Sequence, residues 1–166
     1  MTVRVQTADF DLSTEIAALR GENPEIGAVV AFVGTVRDLN DGEAVAAMEL
    51  EHYPGMTEKA LEAIVEEAKR RWPGSQVLIV HRIGKLYPRD QIVLAAATSA
   101  HRHDAFDACS FVMDYLKTQA PFWKKETTPS GARWVDARVS DDAALARWGI
   151  AAASNAPAAG PLEPHS

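Results

Sequence analysis

Three lysines stand close together in the stretch YLKTQAPFWKKE, residues 115–126: Lys117, Lys124 and Lys125. They are interleaved with aromatic residues and a proline, which favour at least partial burial, whereas lysine favours a solvated surface. The whole chain carries a formal net charge of −6 over 166 residues, so this positive charge is local. The combination indicates a cationic pocket for an anionic partner.

The spacing of these lysines restricts how they can cooperate. If FWKKE forms a strand, Lys124 and Lys125 point to opposite sides, and only one of them can share a pocket with Lys117. Glu126 then lies on the side of Lys124 and could orient it. Neighbouring ammonium groups and burial both lower a lysine pKa, so one lysine is a candidate base or nucleophile. The alternative is a solvated basic rim without chemistry.

Two other cationic positions occur where elements meet. In TSAHRHDAF, His101 and Arg102 are predicted at a helix N-terminus, where free backbone N–H groups favour an anion such as phosphate. The alternative is that Arg102 simply pairs with a carboxylate. In GTVRD, Arg37 follows an apolar strand, at the kind of position where functional groups gather.

Composition and missing motifs exclude several function classes. An acidic chain is not expected to bind nucleic acid generally, and no apolar run is long enough to span a membrane. The N-terminus has no apolar segment typical of a signal peptide, and the single cysteine fits a reducing compartment, so we expect a cytoplasmic protein. The sequence offers no nucleophile elbow, no phosphate-binding glycine loop and no metal-ligand triplet.

Three residues with reactive side chains are predicted to be structural. Cys109 occurs at helical spacing among apolar residues, which is typical of a buried core thiol. His52 and His81 each close or interrupt an apolar strand, so both are interpreted as packing histidines.

The periodicity around these residues predicts an α+β fold with two main helices and a mixed, mostly antiparallel sheet. Helix 11–21 is expected to have Ser13 or Thr14 as its N-cap and Gly21 as its stop, and helix 54–74 to be headed by Thr57. The apolar run 27–37 predicts a buried strand, onto which 44–53 pairs back through an Asp41–Gly42 hairpin. The remaining predicted strands are 3–6, 76–84, 90–100, 122–128 and 132–138, and the remaining helices 101–120 and 140–148. Residues 149–166, rich in Ala and Pro, predict a disordered tail, which leaves 1–148 as a single domain.

Five blocks in this order, LEHYPGMTEKAL, HRIGKLYPRD, TSAHRHDAF, FVMDYLKTQAPFWKKE and RWVDAR, resemble the MoaE family, the large catalytic subunits of molybdopterin synthase. The resemblance runs from about residue 27 to 148. It implies an α/β-hammerhead fold and a sulfurtransferase of molybdenum cofactor biosynthesis. Such an enzyme converts cyclic pyranopterin monophosphate (precursor Z) to molybdopterin by inserting two sulfurs, with no metal or redox cofactor.

The resemblance also implies the partners. Sulfur arrives as a thiocarboxylate on the C-terminal Gly-Gly of a ubiquitin-like small subunit, and a homodimer of large subunits forms the centre of a heterotetramer. The alternatives to this function are a non-catalytic docking module for a ubiquitin-like protein and an anion-binding enzyme of another class, such as a phosphohydrolase.

By family position, Lys117 and Lys124 are the implied catalytic residues. Thr35 occupies a position where some relatives carry lysine, so a substrate contact there would use its hydroxyl or the backbone. The implied substrate-binding residues are Phe32, Thr35, Val36, Arg37, His101, Arg102, Met113, Lys117, Lys124, Lys125, Glu126 and Arg138.

Helix geometry constrains this assignment. Arg102 and Lys117 are fifteen residues apart on one predicted helix, hence separated by about 22 Å along its axis. One small pterin cannot touch both within a single chain. We therefore predict a site shared across a two-fold dimer.

Overall fold

The computed structural model describes residues 2–40, 42–135 and 146–149. In chain order the elements are β1 (Val3–Gln6), α1 (Leu12–Arg20), β2 (Ala28–Thr35), β3 (Leu39–Asn40), β4 (Glu43–Ala44), β5 (Ala47–His52), α2 (Met56–Arg71), β6 (Gln76–Arg82), β7 (Gly84–Leu86), β8 (Gln91–Ser99), α3 (Arg102–Gln119), β9 (Phe122–Thr128) and β10 (Gly131–Val135). The α+β class is confirmed. Arg138, most of the predicted helix 140–148 and the predicted tail from 150 onward lie outside the described residues.

The strands form two four-stranded sheets instead of one. The first has the order β1-β6-β8-β2 and the second β10-β9-β5-β7, while β3 and β4 form a short separate hairpin. The pairing of β1 with β6 is parallel, and the other described pairings are antiparallel. The mixed, mostly antiparallel character expected from the sequence is therefore confirmed.

The first sheet is covered on both faces, which explains its continuous apolar strands. Alternate residues of a strand point to opposite faces, so Val77 and Ile79 of β6 pack with α2 and α3, whereas Leu78 and Val80 pack with α1. In β8 the run Ala95–Ala97 is fully buried. Its small side chains leave room for helices on either side.

Helix α2 begins and ends much as predicted. Its buried face consists of Thr57, Leu61, Ile64, Val65 and Ala68, at the spacing of one helical stripe. Its last helical residue precedes the Pro-Gly pair at 73–74, as expected. No helix in the described part of the chain is long and apolar enough to cross a membrane.

Two predictions about the region 27–53 are wrong. Strand β2 lies at an edge of the first sheet with β8 as its neighbour, so it is only half-buried, and Phe32 is 42% exposed. Strand β5 does not return to β2; it pairs with β7 and β9 in the second sheet. The described residues on either side of the predicted turn instead form the short β3–β4 hairpin, and Asp41 itself lies outside the described residues.

The N-cap of α1 is Asp11, not Ser13 or Thr14. Its carboxylate accepts hydrogen bonds from the backbone N–H and the hydroxyl of Thr14. Asp is as good an N-cap as Ser or Thr, and here it sits where the chain turns into the helix. Gly21 ends α1 as predicted, with a positive φ of 53° that favours glycine.

Candidate active site

The C-terminal end of α3 carries the first of the predicted catalytic lysines. Leu116 is buried against the core, so the next residue, Lys117, points away from it and is exposed. The helix ends at Gln119, immediately before the Ala120–Pro121 step, because proline removes a backbone donor and disfavours helix in the preceding residue. The chain then reverses into β9.

A buried hydrogen-bonded anchor fixes the start of β9. The hydroxyl of Thr57 donates to the carbonyl oxygen of Pro121 at 3.0 Å and accepts from the backbone N–H of Tyr53 at 2.9 Å. The rings of Tyr53 and Trp123 meet edge to face, with centroids 4.8 Å apart. These contacts set the register that brings Lys124 toward the end of α3.

Between α3, β9 and the two sheets lies a cavity of about 480 Å³. Its charged and polar side chains are Thr35, Arg37, His81, Lys117 and Lys124. Most of the remaining lining is apolar and comes from both sheets and from α3: Phe32, Val33, Met48, Leu50, Ile92, Val93, Met113, Leu116, Ala120 and Phe122, together with Gly34. Cationic groups on an apolar wall suit a ligand that has a planar ring and an anionic group.

The alternation predicted for FWKKE is confirmed. Lys124 lines the cavity, and its Nζ lies 3.8 Å from Oε2 of Glu126, whose side chain is nearly buried. Lys125 is not among the cavity-lining residues, and in the strand register it stands opposite Glu49 of β5. Of the two adjacent lysines, only Lys124 therefore shares the cavity with Lys117.

The exit of β2 places Thr35 and Arg37 at the cavity while Val36 faces inward. Val36 is buried, its N–H donates to the carbonyl oxygen of Asp90 at 2.9 Å, and its own carbonyl accepts from the N–H of Arg89 at 2.8 Å. A β-bulge between Gly34 and Thr35 precedes this anchor. Val36 therefore acts on the site by holding the backbone that carries its two neighbours.

His101 and Arg102 begin α3, as predicted, but they do not line this cavity. His101 is the N-cap residue, both side chains are exposed, and the helix from Arg102 to Gln119 is unbroken. The separation of about 22 Å between Arg102 and Lys117 therefore holds within one chain. Phe32 and Met113 lie at the cavity, and Arg138 is outside the described residues.

His81 lines the cavity, although the sequence predicted it to be only a packing residue. It belongs to the face of β6 that points toward α2 and α3, and it stacks on Phe122 with ring centroids 3.8 Å apart. Burial, with a smaller contribution from the positive charge of Lys117, lowers the pKa of His81 to about 4. The available signal was a histidine on the inward face of a strand whose other inward residues are aliphatic.

Cys109 is the buried core thiol that the sequence predicted. Its Sγ–H donates to the carbonyl oxygen of Ala95 at 3.4 Å, and burial raises the pKa of the thiol to about 11. A thiol that stays protonated at neutral pH is a poor nucleophile.

The chain is similar to known proteins over most of its length. The MoaE protein family matches residues 5–119. A molybdopterin synthase catalytic subunit from Ralstonia nicotianae is 67% identical over 149 residues, which are 90% of this chain and 85% of the relative.

Solved structures agree with this result. A molybdopterin biosynthesis MoaE protein from Burkholderia ambifaria has a TM-score of 0.79 at 70% identity, covering 90% of this chain and 98% of that one. A molybdopterin synthase from Staphylococcus aureus has a TM-score of 0.76 at 35% identity, covering 80% of this chain and 96% of the other. The motifs, the fold and these similarities agree: this chain belongs to the MoaE family.

Proposed function

We propose that this chain is the catalytic large subunit of a molybdopterin synthase and converts cyclic pyranopterin monophosphate to molybdopterin. The observation that carries the proposal is the convergence of Lys117, Lys124 and Arg37 on one partly apolar cavity. A pterin ring needs an apolar wall, and a cyclic phosphate needs cations. A guanidinium grips phosphate through paired N–H groups, whereas an ammonium serves as a point charge or proton donor.

The sulfur donor is also anionic. We propose that a ubiquitin-like small subunit inserts its C-terminal Gly-Gly as an extended peptide, with the terminal thiocarboxylate approaching Lys117 and Lys124. In a chain of net charge −6, a local positive cavity directs a negative tail to one place.

The chemistry divides into two similar rounds. The thiocarboxylate sulfur attacks a side-chain carbon of the pterin, the carbon–oxygen bond at that carbon breaks, and Lys117 or Lys124 protonates the departing oxygen. Water then cleaves the resulting thioester, which leaves sulfur on the pterin and a carboxylate on the small subunit. A second thiocarboxylate completes the dithiolene as the cyclic phosphate opens.

Glu126 has a supporting role in this proposal. Its carboxylate lies 3.8 Å from the Lys124 ammonium on the same face of β9. A nearby negative charge attracts the ammonium and restricts its position. Lys124 is thereby prepared to act as a proton donor, while Lys117, at an exposed helix end, is closer to solvent.

His101 and Arg102 join the same site if two copies of the chain meet across a two-fold axis. Among the described residues β2 has a strand neighbour on one side only, and two exposed aromatic rings, Phe32 and Phe106, add apolar area for such a contact. Phe32 also lines the cavity, so the contact would adjoin the site. The homodimer forms the centre of a heterotetramer with a small subunit at each end.

We further propose that residues 1–148 form the catalytic domain and that the protein acts in the cytoplasm, where free thiols such as Cys109 persist. Lys125 and Arg138 are proposed to contribute to precursor binding, Lys125 from outside the cavity wall described above.

The direct test combines three components: this chain, a small subunit carrying a C-terminal thiocarboxylate, and the cyclic pyranopterin monophosphate. We expect molybdopterin to form, and deletion of the terminal Gly-Gly to remove turnover while only weakening docking, because most interface area lies outside the tail. A docking module without catalysis would form the complex but no product. It would also gain no thermal protection from the pterin phosphate alone.

A further inference from the structure

His81 has one ring nitrogen committed to the backbone and one directed elsewhere. Its Nδ1 lies 2.9 Å from the carbonyl oxygen of Arg82. A carbonyl can only accept, so Nδ1 carries the hydrogen, and in the neutral imidazole Nε2 is then an acceptor with a free lone pair. Among the described residues this ring makes no second hydrogen bond.

The position of the ring is rigid. His81 is only 5% exposed, and it is stacked nearly parallel on Phe122, with an interplanar angle of 16°. Both rings line the cavity. An acceptor that lies at a cavity wall is available to a hydrogen-bond donor on a bound ligand.

The charged side chains at the cavity cannot accept a hydrogen bond. Arg37, Lys117 and Lys124 are donors only, and the Thr35 hydroxyl can both donate and accept. A pterin has ring N–H groups as well as acceptors. A guanidinium or an ammonium cannot accept a hydrogen bond from those N–H groups. Nε2 of His81 supplies what these cations lack.

We propose that Nε2 of neutral His81 accepts a hydrogen bond from a ring N–H of the pterin and so orients the substrate ring beside the two lysines. The inference rests on the proposed function for the identity of the ligand. His81 is thus a binding and orienting residue, distinct from the cations that hold the phosphate and the thiocarboxylate.

Burial, together with the charges around the ring, keeps His81 in the accepting form. Lys117 of α3 and His52 of β5 both act on it with positive charge, and Lys124 and Arg37 line the same cavity from β9 and the end of β2. Protonation would place another cation among these groups. With burial as the largest cause, the pKa of His81 falls to about 4, so Nε2 retains its lone pair throughout the physiological range.

Two matched substitutions separate the roles of the ring nitrogens. The Asn side chain of His81→Asn can still donate to the Arg82 carbonyl but has no atom at the Nε2 position. The Gln side chain of His81→Gln reaches that position with an amide oxygen. We expect the Kd for cyclic pyranopterin monophosphate to rise about tenfold in His81→Asn and to return to within about threefold of the wild type in His81→Gln, since an unpaired ligand donor has roughly this effect.

The controls distinguish this inference from the proposed function. Binding and turnover by the wild type test the function itself, whereas the Asn and Gln pair tests His81. Comparable loss in both variants, or a fall in kcat with an unchanged Kd, overturns the inference, because the ring would then serve packing or Lys117 instead of the ligand.

A measurement on the wild type covers the case in which both variants fold poorly. In full-length chain labelled with ¹⁵N-histidine, Nε2 of His81 is expected to resonate as an unprotonated nitrogen at pH 6–8. Addition of cyclic pyranopterin monophosphate should shift this resonance toward that of a hydrogen-bonded acceptor. A saturated complex with an unshifted His81 Nε2 signal contradicts the proposal.

Discussion

The two ends of α3 present cations in opposite settings. At its C-terminal end, Lys117 meets β2, β6 and β9 around a cavity, with Lys124 on the neighbouring strand. At its N-terminal end, His101 and Arg102 are exposed on a helix terminus that favours anions but does not border that cavity. A straight helix keeps the two groups apart, so one chain presents the reacting end and the anion-holding end of the proposed site in different places.

The largest expected effect is at the cavity end. Lys117→Ala and Lys124→Ala should each lower the rate of molybdopterin formation at least about a hundredfold, the usual range for losing a positioned proton donor. Lys117 is exposed, so Lys117→Ala should change the free energy of unfolding by no more than about 0.5 kcal/mol, whereas Lys124→Ala also removes the partner of the buried Glu126 carboxylate and should destabilise the fold more. Rates from the three-component assay and urea unfolding curves check the two halves of the prediction, and near-normal turnover in either variant would remove that lysine from the mechanism.

An intermediate effect is expected for the buried partner of Lys124. Glu126→Gln preserves shape but removes the negative charge 3.8 Å from the ammonium. Because that charge attracts the ammonium, its loss loosens the position of Lys124 in the cavity. We expect a rate reduction of about tenfold, smaller than in Lys124→Ala, measured in the same assay. A rate in Glu126→Gln equal to that of the wild type would show that the ion pair does not contribute to catalysis by Lys124.

Lys125 is the matched control within the same strand. It has the chemistry of Lys124 but does not line the cavity. Lys125→Ala should therefore raise KM for the pterin by a few-fold and leave kcat nearly unchanged, because it would weaken attraction without removing a proton donor. A loss of kcat equal to that of Lys124→Ala would show that the two faces of β9 are not distinct in function.

The smallest effect lies between the two ends, at Cys109. Cys109→Ala should leave catalysis intact and reduce the free energy of unfolding by about 1 kcal/mol at pH 8, through the lost sulfur atom. Burial raises the folded-state pKa of this thiol from about 9 to about 11. A raised folded pKa gives stability that is present below the unfolded value and is lost as pH rises through the folded value.

The stability advantage of the wild type over Cys109→Ala should therefore shrink between pH 9 and pH 11. Denaturant unfolding of both proteins across that range checks it, since all other groups titrate alike in the pair. An advantage that stays constant to pH 11 would contradict burial as the cause of the shift.

Local periodicity predicted much of this arrangement. The alternation in FWKKE separated Lys124 from Lys125, and the apolar stripe of α2 fixed its buried face, because both patterns depend on neighbours a few residues apart. The stop at Pro121 and the anion-favouring start of α3 follow from equally local rules. From such features the sequence predicted that Lys124 could share a pocket with Lys117, and in the structure both line one cavity.

Nonlocal pairing accounts for what was missed. An apolar run such as β2 is compatible with a central or an edge strand; among the described strands β2 is at the edge of its sheet, and Phe32 is exposed there. The residues of β5 pair with residues 34 to 80 positions further along the chain, so the nearest apolar strand was the wrong choice. The place of His81 at the cavity was also missed, because its stacking partner Phe122 is distant in sequence.

The proposal that one site combines opposite ends of α3 from two chains is tested most directly by complementation. Inactive Arg102→Ala and Lys117→Ala chains are mixed under conditions that allow subunit exchange, with exchange verified by mass-tagged heterodimers. In a mixed dimer one site collects both defects and the other collects neither, so activity should return to about one quarter of the wild-type value in a statistical mixture, because half the dimers are mixed and half of their sites are intact. If mixing restores no activity although heterodimers form, the shared site is wrong.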